Sequence, residues 1–136
     1  MIQWFKNTLS IPVFILGLGI ASLTFSAYQA QVSERNETTR RAAFEMLQTL
    51  NHLQQLIDQE HYTKTDKSQF IQGWADVLLI NDLALFTNPS IQHQSHNLLE
   101  LWKKSFNHLD DKTTNVTLSK NIKMVRQALK NAILSL

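Results

Sequence analysis

Residues 43–57 read AFEMLQTLNHLQQLI. Ala43, Met46, Leu50, Leu53 and Ile57 recur at alternating spacings of three and four, which places them on one face of an α-helix. Phe44, Leu47 and Leu56 widen that stripe beyond the narrow seam of a coiled coil. A face this broad is built to be covered by other elements, so the stretch predicts one helix, over about residues 33–61, of a packed helical domain.

The same spacing predicts three further helices downstream. Residues 61–67 are polar and read as a turn, and Asp66 with Gln69 forms a candidate capping box for a helix over 66–86. Its apolar residues (Phe70, Ile71, Trp74, Val77, Leu78, Ile80, Leu83, Leu85 and Phe86) occupy more than one face, which predicts the most buried helix of the set. Gly73 marks either a close helix approach or a tolerated glycine, at about 1 kcal/mol of helix propensity. Thr87-Asn88-Pro89-Ser90 is the clearest punctuation in the chain: Asn88 can cap, with Pro89 at the first helical position. The helix it opens runs over 89–109, with Ile91, Leu98, Trp102, Phe106 and Leu109 inward. Residues 110–115 read as a polar loop. A last helix, 117–136, buries Leu118, Ile122, Val125, Leu129, Ala132 and Leu136, so its final turn is expected to be packed. The short connections imply antiparallel neighbours and an up-down bundle.

Upstream the character changes. No Asp, Glu, Lys or Arg lies between Lys6 and Glu34, and Leu9 to Tyr28 reads LSIPVFILGLGIASLTFSAY. Twenty helical residues rise about 30 Å, the thickness of a bilayer hydrocarbon core. Trp4, Phe5 and Tyr28 flank the run as interfacial aromatics do. Pro12 is expected in the first turn, where its missing N–H costs little. Ser22, Thr24 and Ser26 can bond back to the helix carbonyls. A cleaved signal peptide is the competing reading, but cleavage needs small residues at −1 and −3. A cut after Ala30 has Tyr28 at −3, a cut after Ala27 has Phe25, and a cut after Ser26 has Thr24, so an uncleaved anchor is favoured. Gly17 and Ala21 form a small-xxx-small pair through which two spans can pack closely, as do Ser22 and Ser26. No Gly or Pro separates the span from the next helix, so the two are expected to form one stalk of about 50 residues, about 75 Å long.

The predicted architecture is therefore all-α: an N-terminal head at 1–7, a single transmembrane signal-anchor helix at 8–30, and an antiparallel four-helix bundle-like domain at 31–136. Arg35, Arg40 and Arg41 against Lys6 favour a cytoplasmic domain by the positive-inside rule. A lone span at the N-terminus ordinarily exports the domain C-terminal to it. The expectation adopted is an inner-membrane protein with its C-terminal domain outside the cytoplasm.

Thirteen Lys and Arg against eleven Asp and Glu leave no basic excess of the kind a nucleic-acid binder of this size carries. With no cysteine, disulfides, thiolate metal sites and cysteine nucleophiles are excluded. Three glycines, two of them in the span, leave no phosphate-cradling loop. Gly-x-Ser-x-Gly, His-Glu-x-x-His and the Glu-x-x-His of di-metal bundles are absent. His93, His96 and Glu100 share a helix face at metal-ligand spacing, but they lie in a polar run, Gln92-His93-Gln94-Ser95-His96-Asn97, that reads as surface. Lys120, Lys123, Arg126 and Lys130 make a basic face on the last helix, either a solvated surface or a contact for anionic lipid or an acidic partner. Asn36-Glu37-Thr38 and Asn115-Val116-Thr117 match the glycosylation sequon, a frequent chance match.

No enzyme and no cofactor are expected. The expected partners are membrane lipid, through residues 8–30, and another envelope protein or a second copy. A membrane-tethered interaction or assembly module fits the anchor and the wide apolar stripes. The alternative is an extracytoplasmic bundle that binds a small ligand between helices and signals through a partner. A pocket between Trp74 and Trp102 would favour the second, and a solid core the first.

Overall fold

The computed structural model describes the backbone of residues 2–62 and 68–136 and the side chains of residues 12–60 and 69–136. The fold is all-α, with no strand among the described residues. Helix α1 spans Ile2–Tyr62, α2 Ser68–Ala84, α3 Pro89–Ser105 and α4 Lys112–Ser135, with a short 3-10 turn at Phe106–His108. By internal packing the chain divides into two units, Met1–Glu37 and Thr38–Leu136.

In the first unit every described side chain from Pro12 to Arg35 is exposed. Because α1 already includes residues 2–7, Pro12 lies inside the helix and not in its first turn. It removes one backbone hydrogen bond there. Thr24 behaves as its type predicts, its Oγ1 donating to the carbonyls of Ile20 at 3.1 Å and Ala21 at 2.9 Å. The side chains of Trp4, Phe5 and Lys6 lie outside the described residues.

The second unit has one hydrophobic core to which all four helices contribute. The stripe of α1 is buried as its spacing requires, with Met46, Leu50, Leu53 and Ile57 all fully inaccessible. Val77, Ile80 and Ala84 enter from α2, Ile91, Leu98 and Trp102 from α3, and Leu118, Ile122, Val125 and Leu129 from α4. Side-chain ties fix the helix directions. Thr39 pairs with Phe86 and His52 with Asp76, so residue numbers rise along α1 as they fall along α2. Gln54 pairs with Ser119, and Asn115 Nδ2 donates to the Ile57 carbonyl, so α4 also runs against α1. Trp74 meets Trp102 edge-on at 6.5 Å between α2 and α3.

Gly73 is a close-approach glycine. A Cβ added there would overlap Cζ2 and Cη2 of the Trp102 ring, which is itself fully buried. Gly73→Ala gains about 1 kcal/mol of helix propensity but overpacks the core at a cost of about 1–3 kcal/mol. A net loss of stability is expected in urea unfolding of the full chain in mild detergent. A gain would show that the ring yields.

Local chemistry sets the helix ends. Thr87 Oγ1 and its N–H both donate to the Ala84 carbonyl, at 2.6 and 3.0 Å, closing α2 two residues before its expected end. Asn88 Oδ1 accepts from the Ile91 N–H at 3.0 Å with Pro89 next in the chain, the predicted cap. The expected capping residue of α2, Asp66, lies outside the described residues. The 89–109 helix stops at Ser105 as a regular helix, and the 3-10 turn then carries Leu109 back into the core.

Helix α4 begins at Lys112, not Thr117. Polar Thr113, Thr114 and Asn115 resemble a loop in composition, but a helix N-terminus is polar too. Asp111 caps it through the Thr114 N–H at 2.8 Å. That bond, with smaller help from the Thr114 hydroxyl and the Thr113 N–H, holds the Asp111 carboxyl below its ordinary value. A depressed folded value means that the cap is intact above the ordinary carboxylate range and is lost as pH falls through the depressed one. The Thr114 amide resonance should therefore titrate below that range. Asp111→Asn should keep the cap and abolish the titration.

Two burial expectations are overturned. Helix α2 is not the most buried: Ile71, Leu78, Leu79, Leu85 and Phe86, in the helix and the turn after it, are all exposed. Only the side of α2 carrying Val77, Ile80 and Ala84 meets the other helices, so apolar residues beyond that side have nothing to cover them. The last turn of α4 is only half packed. Ala132 and Ile133 join the core, but Leu134 and Leu136 do not.

Candidate functional site

The residues singled out from the sequence occupy different parts of the structure. Gly17 and Ala21 are exposed on the first unit, and the space a Cβ would take at Gly17 is open. That is the surface a second helix could approach. His93 and His96 are not brought together with a third ligand: His96 is exposed on α3, and His93 is exposed one turn before it. Glu100 is committed elsewhere: its Oε1 accepts from Lys103 Nζ at 2.6 Å, which holds the carboxyl below its ordinary value. No cluster of three His, Asp or Glu suited to a metal ion occurs among the described residues. On α4, Lys120, Lys123 and Lys130 are exposed, but Arg126 lies at the edge of the buried face with its Nε out of solvent.

The aromatic residues fill the place where an inter-helix ligand would sit. Trp102 is fully buried, Trp74 stands at 89° to it, and Phe106 packs against Trp74 at 5.3 Å. Two of the grooves on the second unit, among the described residues, are lined without these rings. One, of about 440 Å³, runs between the start of α3 and the end of α4 and is lined by Asn88, Ser90, Gln94 and Asn131 among others. The other, of about 310 Å³, is lined by His52, Gln55, Leu56, Gln59, Gln69 and Gln72.

His52, on the wall of the second groove, belongs to a polar pair that sequence reasoning missed. Asp76 is buried and accepts from His52 Nδ1 at 2.5 Å, and Gln72 Nε2 approaches its other oxygen at 3.4 Å. The carboxylate fixes the imidazole ring at Nδ1 and leaves Nε2 for other partners. A His–Asp pair can orient a base, and among the described residues that line this groove there is no Ser or Thr. The pair acts as a tie between α1 and α2. Twenty-four residues separate its members, so only the register of the two helices could have revealed it.

What remains conspicuous is apolar surface. In the first unit it covers Val13 to Tyr28, and in the second it occupies the outward side of α2 and the turn after it. Surfaces of this size are where proteins meet lipid or one another. Comparison of the chain with protein-family models, with curated proteins and with solved structures finds no match in any of the three.

Proposed function

We propose that this chain is a single-pass membrane protein whose helical domain, an antiparallel four-helix bundle, works outside the cytoplasm as a non-enzymatic interaction or assembly module. The observation that carries the reading is the exposed helical surface of residues 12–30, long and apolar enough to cross a bilayer and free of charge throughout. Left in water, that surface would aggregate. The bundle reading draws on the ties that set α1 against both α2 and α4, and on a core shared by all four helices. The interaction role draws on the exposed apolar side of α2, which a domain evolved only to stand alone in water has no reason to keep. Small-ligand sensing has less support, because Trp74 and Trp102 meet edge-on where its pocket would lie.

Fusions at Leu136 test the orientation. An active alkaline phosphatase fusion and an inactive β-galactosidase fusion are expected in a bacterial host. The reverse pattern would place the domain in the cytoplasm, as the arginine count favours, and would turn attention to the basic residues of α4.

A further inference from the structure

We infer that the end of the helical domain at which the chain enters from the span carries an apolar tip that seats in the interfacial region of the same bilayer. The inference rests on the reading of residues 8–30 as a span.

Three observations gather the tip. The Thr39 hydroxyl donates to the Phe86 carbonyl at 3.0 Å, which puts the turn between α2 and α3 beside the first residues of the unit. The groove lined by Asn88, Ser90, Asn131 and Ser135 puts the start of α3 beside the end of α4. The pairing of Gln54 with Ser119 and of Ile57 with Asn115 runs α4 back toward the same end. Leu85, Phe86, Leu134 and Leu136 therefore share one end of the domain, and all four are exposed, Leu134 at 86%. The opposite end has a different character. Around the turn before α4, Asn107, His108, Asp110, Asp111, Lys112 and Thr113 are exposed, and the large exposed apolar side chains toward this end among the described residues are Val116 on α4 and Ile71 in the first turn of α2.

The length of the connection selects the occupant. Thr39 lies eleven residue steps beyond Tyr28, and even a fully extended chain of that length reaches no more than about 40 Å. A domain on so short a tether meets the membrane surface at a high effective concentration, so a weak apolar contact suffices to seat it. A second copy would need more. A stable dimer buries about 800 Å² per partner, well beyond what four side chains supply. Arg40, Arg41 and Lys130 stand within about a turn of the tip, against Asp82 and Glu37, so cations that suit anionic headgroups border it.

The cysteine-free chain makes the test direct. Leu134→Cys and, separately, Val116→Cys carry a spin label in the full chain, reconstituted into vesicles of phosphatidylethanolamine and phosphatidylglycerol. Collision with oxygen, which partitions into lipid, is compared with collision with a water-soluble nickel chelate. The oxygen-to-nickel ratio is expected to be several-fold higher at 134 than at 116. Adding Leu85→Glu and Phe86→Glu should bring the ratio at 134 down to that at 116. Equal ratios in a chain that floats with the vesicles would overturn the tip and leave the span standing. A chain that does not float would overturn both. Suppression of both collisions at 134 would identify a contact between copies and overturn the lipid assignment.

Discussion

Trp102→Ala is expected to remove about 3–5 kcal/mol from the stability of the helical domain, the range for truncating a large buried aromatic. The ring has no solvent exposure and packs over Gly73, a backbone position that lacks a Cβ. Trp74 meets it edge-on, and Phe106 braces Trp74. Removing the indole leaves a void beside Gly73, which has no side chain to extend into it. A small domain has about 5–15 kcal/mol in total, so the variant should lie near its unfolding midpoint at modest urea. Helical circular dichroism of the full chain in mild detergent reads the loss. Trp102→Phe should cost much less. It keeps most of the ring and removes Nε1, a buried donor with no partner in the protein. A loss below about 1 kcal/mol for the alanine variant would show that this ring does not hold α2 and α3 together.

Leu16→Arg combined with Ile20→Arg should abolish membrane retention. Both positions lie near the middle of the Leu9–Tyr28 run, and both are exposed. Each arginine at a span centre costs about 2.5–3.5 kcal/mol, and each lost Leu or Ile forfeits about 0.5 kcal/mol more. The pair shifts insertion by roughly 6–8 kcal/mol, at least about ten-thousand-fold at 1.4 kcal/mol per decade. Membrane fractionation should find the double variant soluble, aggregated or degraded, while Leu16→Ala with Ile20→Ala stays with the membrane. Equal retention of the arginine pair would remove the basis for an anchor.

The parts of the fold that are legible in the sequence are those written in local chemistry. The α1 stripe is buried position by position because a spacing of three and four leaves a helix only one face to bury, and α4 obeys the same rule as far as Ala132. Asn88 and Pro89 announce a helix start through a cap whose geometry involves only the next few residues. The departures have physical causes of their own. Asp111 resembles part of a loop because capping residues and loop residues are the same residue types. Apolar content on several sides of α2 suggests burial, but burial depends on how many neighbours a helix has, which its own sequence does not state. Gly73 has two readings in sequence, and only Trp102, 29 positions further along, decides between them. The His52–Asp76 tie leaves no local mark for the same reason. The proposed apolar tip, too, draws on the α2–α3 turn and the last turn of α4, which are distant in sequence and share one end only in the folded domain.

The most direct test of a domain tethered by its own N-terminal helix is the intact mass of the protein recovered from carbonate-washed membranes. The tethered reading predicts a carbonate-resistant species of the full 15.7 kDa, with residues 1–30 still attached. A shorter species that begins after residue 26 and is released by the wash would contradict it, and would make the apolar helix a removed signal and the helical domain a free one.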